Sequence, residues 1–239
     1  MALSLEVFFS PVLFPYSTFD PNRNIVVIDI YRATTAICAA FMAGAERIIP
    51  VSDLKIAEKM RSDSLLLAAE REGKKLPFAD YGNSAHGFFS MNLKGKSLIY
   101  STTNGTVAME KAQTAGKVVL GGFCNLQALT KYLVQQECNT SLLCSGWKNA
   151  FSMEDSLFAG ALAQSLIRAG HFQTQDDSCV AAMALYDSAK DDLSAYLRQA
   201  SHYKRLEALN MLDDLGFCLQ TDTCPIVPVM AGGEVVVKS

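Results

Sequence analysis

The chain has 239 residues, of which 50% are hydrophobic and 19% are charged. This composition excludes a disordered chain and supplies enough apolar side chains for one large core. The formal net charge of −3 argues against a nucleic-acid surface or a polybasic membrane patch, so we expect a small-molecule partner. A chain of this length is typical of one α/β domain, here residues 1–239 with a helix-rich part from about residue 174.

Strand-like and helix-like segments alternate along the chain. The predicted strands are residues 5–9, 25–30, 47–51, 97–100, 117–120 and 142–144. The predicted helices are residues 33–43, 53–61, 106–115, 125–135 and 153–169, with residues 65–69 fitting either structure. The pattern is mostly helical from residue 174 to about 219, and residues 226–230 and 235–237 look extended. This alternation predicts an α/β fold with a mostly parallel or mixed sheet and helices on both faces.

The cysteines and the apolar segments indicate where such a chain resides. Its seven cysteines form no C-x-x-C pair and no zinc-binding spacing, which predicts reduced, mostly buried thiols in a cytoplasmic protein. The apolar run at residues 33–45 is too short to span a bilayer, and residues 1–14 lack the basic segment of a signal peptide. We therefore expect no membrane contact. The low charged fraction is compatible with a homodimer.

Three polar clusters follow predicted strands and begin at Asp29, Ser101 and Ser145. In open α/β sheets the carboxyl ends of the strands line the ligand-binding crevice. We therefore expect the three clusters to converge on one site.

Carboxylates occur in the first and the third cluster. Asp29 ends an apolar strand, where an unpaired carboxylate is costly, so it is either a metal ligand or base, or the ion-pair partner of Arg32. Residues 152–155 match a helix capping box formed by Ser152 and Asp155. Glu154 and Asp155 are therefore either a helix cap or part of a metal site.

The second cluster combines four hydroxyls, an amide and a glycine at a predicted helix start: Ser101, Thr102, Thr103, Asn104, Gly105 and Thr106. Hydroxyls and free backbone N–H groups at a helix start suit a phosphate or another anion. The structural alternative is a turn at Asn104 and Gly105, with Thr102 or Thr103 capping the helix.

Two further pairs are ordinary when taken alone. Glu70 and Arg71 fit a solvated helix end, and His202 and Arg205 fit a solvated basic helix face. Several known chemistries are excluded by spacing. No cysteine has an arginine six positions later, no aspartate begins a D-x-D pair, and no G-x-S-x-G motif is present.

At these same clusters the sequence resembles the 2-phosphosulfolactate phosphatases (ComB-like proteins). The matching runs occur in family order over almost the whole chain: residues 27–35, Glu70 with Arg71, Asp80 with Asn83 and Ser84, and residues 101–106, 151–155 and 202–205. The chain departs from the family pattern at Ala68 and Ala69, which replace two glycines, at Ala85, where proline is frequent, and at Cys144 and Ser145.

The resemblance implies a three-layer α/β/α phosphatase that depends on Mg²⁺, or on Mn²⁺ in its place. The named substrate of the family is 2-phospho-3-sulfolactate, an intermediate in coenzyme M biosynthesis, and a related small 2-phospho acid is the alternative. The resemblance also implies that residues 65–69 form a strand with Glu70 at its end.

Together, the clusters and the resemblance predict one phosphatase site. The expected metal ligands are Asp29, Glu70, Glu154 and Asp155, and the expected catalytic residues are Asp29, Arg32 and His202, with His202 as a proton donor. The expected phosphate- and substrate-binding residues are Arg71, Asn83, Ser101, Thr102, Thr103, Asn104, Gly105, Thr106 and Arg205. The attacking group is either water or the Asp29 carboxylate.

Two other functions are compatible with the same residues. The first is a non-catalytic phosphate- or nucleotide-binding module, which the alanines beside Glu70 favour. The second is a carboxylate–metal enzyme that acts on a non-phosphorylated acid.

Overall fold

The computed structural model describes residues 2–15 and 20–237 of the chain. The strands of these ranges are β1 Leu3–Phe8, β2 Asn24–Ile28, β3 Arg47–Pro50, β4 Leu65–Arg71, β5 Lys74–Lys75, β6 Ser97–Ser101, β7 Lys117–Gly121, β8 Thr140–Cys144, β9 Phe172–Gln173, β10 Pro228–Ala231 and β11 Glu234–Val237. The α-helices are α1 Ala33–Met42, α2 Leu54–Met60, α3 Ala85–Phe89, α4 Gly105–Ala112, α5 Leu126–Gln136, α6 Met153–Arg168, α7 Asp177–Ala189, α8 Leu193–Leu197, α9 Ser201–Ala208 and α10 Leu212–Cys218.

The strands of the described ranges form one mixed sheet in the order β5-β4-β6-β3-β11-β10-β7-β2-β8-β1-β9. One group, β4, β6 and β3, pairs in parallel, and so does the group β7, β2, β8, β1 and β9. The hairpin β10–β11 pairs antiparallel with β7 on one side and with β3 on the other. A large mixed sheet accompanied by helices confirms the predicted α/β fold class.

Strand β2 and helix α1 lie at the centre of the core. All five residues of β2 are buried between β7 and β8, which explains its continuous apolar sequence. Residues 33–40 of α1 are also buried, because their small side chains let neighbouring elements approach from every side. The loop that joins the two elements, residues 29–32, is therefore held at the edge of the core.

The remaining predictions for the elements have mixed outcomes. Residues 65–69 belong to strand β4, as the resemblance implied, and the helix-rich part after residue 174 is present as α7 to α10. The sequence pattern gave no sign of β5, α3 or β9, which have five residues or fewer and depend on tertiary contacts. Positions 1, 16–19 and 238–239 of the predicted single domain, including the first residue of the apolar N-terminal run, lie outside the described residues.

The prediction of reduced, mostly buried thiols is confirmed. All seven cysteines are free, and six of them are buried. Cys38, Cys124 and Cys224 form a small cluster of their own within the core. None of the helices within the described ranges combines the length and the apolar character needed to cross a membrane.

Candidate active site

Residues at the carboxyl ends of four strands line one narrow cleft, with free space of about 10 Å³. Of the residues predicted for the site, Asp29, Arg32, Glu70, Asn83, Asn104 and His202 line it. Tyr31, Gly73, Trp147 and Leu206 complete the lining. The convergence expected from the polar clusters is therefore present, and β4 adds a fourth strand end to it.

Asp29 follows β2 directly, and its carboxylate lines the cleft. Its Oδ1 accepts a hydrogen bond from the backbone N–H of Ala33 at 3.2 Å, and its carbonyl oxygen accepts one from the Thr34 hydroxyl at 2.9 Å. A Cβ atom at Gly105 would lie 2.8 Å from Oδ2 of Asp29. The glycine therefore keeps open the space beside this oxygen.

The electrostatic surroundings make Asp29 an unusual carboxylate. Burial raises its pKa from 3.8 to about 6, while the hydrogen bond from Ala33 and the charge of His202 oppose the rise. The carboxylates of Glu70 and Glu154 raise the pKa further. Three acidic groups thus influence one another at this end of the sheet.

Glu154 and His202 form a hydrogen-bonded pair at the cleft. Nδ1 of His202 lies 2.6 Å from Oε1 of Glu154, and the two side chains are 11% and 1% exposed. Burial raises the pKa of Glu154, but the hydrogen bond and charge of His202 outweigh this and hold it below its usual range. Because Nδ1 is occupied, Nε2 is the ring nitrogen left for a ligand. The solvated basic face proposed for His202 is therefore wrong.

Asp155 ties together the loops that follow β2 and β8. Its Oδ1 accepts from the N–H of Ile30 at 2.8 Å, and its Oδ2 accepts from the N–H of Gly146 at 3.1 Å. Burial and the charge of Glu154 raise the pKa of Asp155 well above its usual range. The predicted capping box is wrong, because the Asp155 carboxylate binds these two loops and Ser152 makes no side-chain cap bond.

Glu70 connects the end of β4 to the polar cluster at residues 101–106 by hydrogen bonds. Its Oε1 accepts from the backbone N–H of Thr103 at 2.7 Å and from the Thr103 hydroxyl at 3.0 Å. Its Oε2 accepts from the N–H of Gly73 at 2.6 Å. Glu70 is 5% exposed and ends a strand, so its interpretation as a solvated helix end is wrong.

Arg71 lies outside the lining of the cleft. Its Nη1 donates to the carbonyl oxygens of Glu70 at 2.6 Å and of Ser101 at 3.2 Å. Its Nη2 donates to the carbonyl oxygen of Ser52 at 3.0 Å and to the Ser101 hydroxyl at 3.1 Å. The guanidinium therefore joins three chain segments, and Ser101 is bound to it.

Arg32 pairs with a residue that the sequence did not single out. Its Nη1 lies 2.6 Å from Oδ2 of Asp214 in α10, and its Nη2 donates to the carbonyl oxygen of Gly73 at 3.0 Å. The peptide bond between Tyr31 and Arg32 is cis. The alternative of an ion pair between Asp29 and Arg32 is therefore wrong, because α10 supplies the counter-ion.

The threonines of the second cluster bind mainly to the chain itself. The Thr102 hydroxyl accepts from the N–H of Thr106 at 3.2 Å, and the Thr106 hydroxyl donates to the Thr102 carbonyl at 3.0 Å. Thr103 is bound to Glu70, as described above. These bonds fix the start of α4, and the N-cap residue of that helix is Asn104.

Two amides of the predicted set line the cleft. Oδ1 of Asn104 accepts from the N–H of Lys148 at 3.0 Å, which ties α4 to the loop after β8. Asn83 is 6% exposed, and its Oδ1 accepts a hydrogen bond from the Tyr100 hydroxyl. In both residues the carbonyl oxygen is engaged, so the NH₂ group is the part left for a ligand.

Several residues of the site had no role predicted from the sequence. Trp147 lies over His202, with 5.2 Å between ring centroids, and Tyr31 meets the same imidazole edge-on at 5.9 Å. The single tryptophan of the chain, directly after the third strand-end cluster begins, was a signal that could have found Trp147. Asp214 gave no such signal, because it lies in a short helix far along the chain.

The acidic groups do not form a ready-made metal cage. Among the described residues, no three His, Cys, Asp or Glu side chains are grouped closely enough to hold a metal ion. Both carboxylate oxygens of Glu70 and of Asp155 accept hydrogen bonds from backbone N–H groups, and Glu154 binds His202. Asp29 is thus the carboxylate with the most open oxygen.

The fold and the cleft at its strand ends define an α/β enzyme, and comparison with known proteins gives its class. The family model described as 2-phosphosulpholactate phosphatase matches residues 12–233. A relative from Caldanaerobacter subterraneus is 36% identical over 218 residues, 90% of each chain. One from Cyanothece sp. is 35% identical over 98% of this chain and 99% of its own, and one from Synechocystis sp. is 37% identical over 90% and 95%.

All three relatives are named "Probable 2-phosphosulfolactate phosphatase", which describes a phosphoric monoester hydrolase. The chain belongs to the 2-phosphosulfolactate phosphatase family.

Proposed function

We propose that this protein hydrolyses a small acidic phosphate ester, 2-phospho-3-sulfolactate or a related 2-phospho acid, to the alcohol and phosphate in a Mg²⁺-dependent reaction. One observation carries the proposal. The carboxylate of Asp29 and the imidazole of His202, which Glu154 holds through Nδ1, line one cleft in a chain that belongs to a phosphatase family. The names of the relatives support the substrate.

The residues around Asp29 fit a hard cation. The available donors are oxygens, the space beside Oδ2 of Asp29 is kept open by Gly105, and Glu70 and Glu154 add negative charge. Mg²⁺ needs only one or two carboxylates, since water and substrate oxygens supply its other ligands. Asp29 would hold the ion, with Glu154 nearby. When bound, Mg²⁺ or Mn²⁺ supplies charge neutralisation for the phosphoryl group.

The Glu154–His202 pair is suited to proton transfer. The carboxylate fixes the orientation of the imidazole through Nδ1 and leaves Nε2 directed away from the pair. We propose that Nε2 of His202 gives its proton to the leaving oxygen, so that the product departs as an alcohol. The NH₂ groups of Asn83 and Asn104 would hold the phosphoryl oxygens from the opposite side.

The bonds within the second cluster bear on the alternative of a non-catalytic phosphate-binding module. The hydroxyls of Thr102, Thr103 and Thr106 are engaged within the chain, which leaves this cluster fewer groups to hold a phosphate in either function. Membership of a phosphatase family makes the enzyme the better-supported function. We also propose a cytoplasmic location, which the free thiols support.

A panel of phosphate esters tests the proposal. Phosphate release is measured with 2-phospho-3-sulfolactate, 2-phospholactate, a sugar phosphate and a nucleoside monophosphate, each with and without Mg²⁺. We expect release from the first two substrates in the presence of the metal. Release from the sugar or nucleotide substrate alone would refute the proposed substrate class, and phosphate binding without any turnover would favour the binding module.

A further inference from the structure

The catalytic cleft is too narrow to admit a substrate. Its free space of about 10 Å³ is what one water molecule needs, and a phosphate group is larger than that. One wall of the cleft must therefore move before a substrate reaches the Asp29 carboxylate. Most of the wall residues are held firmly, because Asp29, Arg32, Glu70 and Asn83 are buried and hydrogen-bonded and Leu206 belongs to the core.

The loop between β8 and α6 forms the wall that is held least firmly. It contains residues 146–151, and Trp147 is its residue in the cleft lining. Residues 148–151 are exposed, and the half-buried Trp147 ring lies against His202. A neighbouring recess of about 120 Å³ is lined by Trp147 and Phe151, so the loop is not close-packed on that side. The loop therefore has room to shift away from His202.

The backbone of this loop is in an unfavourable conformation. Three of its residues have positive φ angles: Gly146 at 64°, Lys148 at 49° and Asn149 at 66°. Glycine adopts such an angle freely, but Lys148 and Asn149 carry side chains, for which the left-handed region is costly. The position of the loop consequently depends on the contacts that it makes with other elements.

Lys148 connects the loop to the opposite side of the cleft. Its Nζ lies 2.7 Å from Oε1 of Glu72 in the turn between β4 and β5, and its N–H donates to Oδ1 of Asn104 at 3.0 Å. Gly73 and Trp147, the chain neighbours of the ion pair, both line the cleft, so the pair spans its mouth. The two charged side chains are 58% and 66% exposed. Exposed ion pairs are weak and screened by salt, so this one opens readily.

We propose that the loop of residues 146–151 is a lid over the catalytic cleft and that the Lys148–Glu72 ion pair is its latch. The closed lid leaves room for one water molecule, so a ligand binds only while the lid is open. The strength of the latch then sets the fraction of molecules that can bind. The inference rests on the proposed function in one respect, namely that the substrate binds in this cleft.

The fluorescence of Trp147 reports on the lid directly, because it is the only tryptophan in the sequence. Quenching by acrylamide, which is uncharged, is compared in wild type, Glu72→Gln and Asp187→Asn. The control Asp187→Asn breaks a similarly exposed 2.7 Å ion pair, with Lys190, outside the cleft. We expect the quenching constant to be about 2-fold higher in Glu72→Gln and unchanged in the control.

Salt gives a second condition for the same measurement. Sodium chloride at about 0.5 M should raise the quenching constant of wild type and have little effect on Glu72→Gln, because the variant has no ion pair to screen. Equal quenching of wild type and Glu72→Gln at low salt would overturn the proposal.

Binding of inorganic phosphate separates the lid from a simple effect of charge. Phosphate is titrated calorimetrically, with Mg²⁺ present, into wild type, Lys148→Gln and the control Lys190→Gln, each checked for folding by circular dichroism. The loss of a positive charge by itself would weaken anion binding. The lid predicts the opposite, a Kd about 2-fold lower in Lys148→Gln than in wild type and the control, because more molecules are open.

The two measurements distinguish failure of the lid from failure of the proposed function. Weaker or equal phosphate binding by Lys148→Gln would reject the latch. The expected quenching results without any phosphate binding would retain the lid and count against the proposed function.

Discussion

Asp29 is the residue where folding and function conflict most clearly. It is a carboxylate at the end of a buried strand, with a pKa raised to about 6 by that burial. Glu70 and Asp155 are equally buried, but they receive backbone hydrogen bonds on both oxygens. Asp29 receives one such bond from Ala33, so its second oxygen is available for chemistry.

Replacement of Asp29 by asparagine tests its role in turnover. Asp29→Asn keeps the size of the side chain and removes its charge, so we expect kcat for phosphate release to fall by at least about 10³-fold. Asp213→Asn is the control, because Asp213 is exposed in α10 and its loss removes the same formal charge. An Asp29→Asn enzyme with near wild-type kcat would remove Asp29 from the mechanism.

We also expect Asp29→Asn to raise the free energy of unfolding by an amount that depends on pH. Below about pH 3 Asp29 is protonated in both the folded and the unfolded chain, so its ionisation has no effect on stability. As the pH rises from 3.8 to about 6, the unfolded chain ionises Asp29 before the folded chain does, and the fold loses up to roughly 3 kcal/mol. In metal-free buffer, Asp29→Asn should therefore be more stable than wild type at pH 7.5, and the difference should shrink near pH 4. Urea unfolding at both pH values measures this difference in the free energy of unfolding. A difference of the same size at the two pH values would contradict the raised pKa of Asp29.

Cys144 is the last residue of β8, at the strand end where the third polar cluster begins. It is fully buried, and burial raises the pKa of its thiol well above the ordinary value, so the thiolate is scarce at neutral pH. We expect Cys144→Ala to keep kcat within about 10-fold of wild type, the change reflecting packing. A loss above roughly 10³-fold in kcat would instead indicate covalent thiol chemistry.

At the scale of elements, α10 holds the cleft from outside the sheet. Asp214 binds Arg32, and its Oδ1 also accepts from the Ser84 hydroxyl at 2.8 Å and from the N–H of His86 at 3.1 Å. One carboxylate therefore joins the loop after β2 to the start of α3. Arg32 is consequently a positioning residue in this arrangement, since its Nη atoms bind Asp214 and Gly73.

Asp213 and Asp214, two neighbouring residues of α10, provide a matched pair of variants for testing the Arg32–Asp214 ion pair. Asp214→Ala leaves Arg32 buried without its partner, so we expect the free energy of unfolding to fall by about 3–5 kcal/mol. Asp213→Ala should cost less than about 1 kcal/mol, because its side chain is exposed near the helix N-terminus. Urea denaturation of the two variants decides the question, and similar losses would show that the Arg32–Asp214 pair contributes little.

The elements also show what the sequence could and could not predict. β2 and α1 were predictable, because a continuous β-branched run and an alanine-rich run each favour one structure. The polar clusters at the strand ends were predictable as well, because each of them directly follows a predicted strand. Asp214 was not, since its pairing with Arg32 spans 182 positions and depends on how α10 packs. Arg71 was predicted to bind the ligand, but its partners are three carbonyl groups and the Ser101 hydroxyl, which only the folded chain brings together.

At the scale of the molecule, the C-terminal hairpin completes the sheet. β10 and β11 lie between the group that contains β7 and β2 and the group that contains β3, β6 and β4. The sequence predicted an extended tail but not this central position, because pairing between distant strands leaves no local pattern. The hairpin thereby joins two groups of strands. One group precedes Asp29 and Trp147 in the chain, and the other contains Glu70 and precedes Asn104.

Phosphate release that depends on a metal ion is the central expectation for this protein. The measurement is the initial rate of phosphate release from 2-phospho-3-sulfolactate by the intact chain, before chelation, after exhaustive chelation, and after Mg²⁺ is restored. Two oxyanionic groups cannot approach each other in one cleft without a compensating cation, so we expect chelation to abolish release and Mg²⁺ to restore it. Full activity after chelation would contradict the proposed role of Asp29, and no release under any condition would contradict the proposed function.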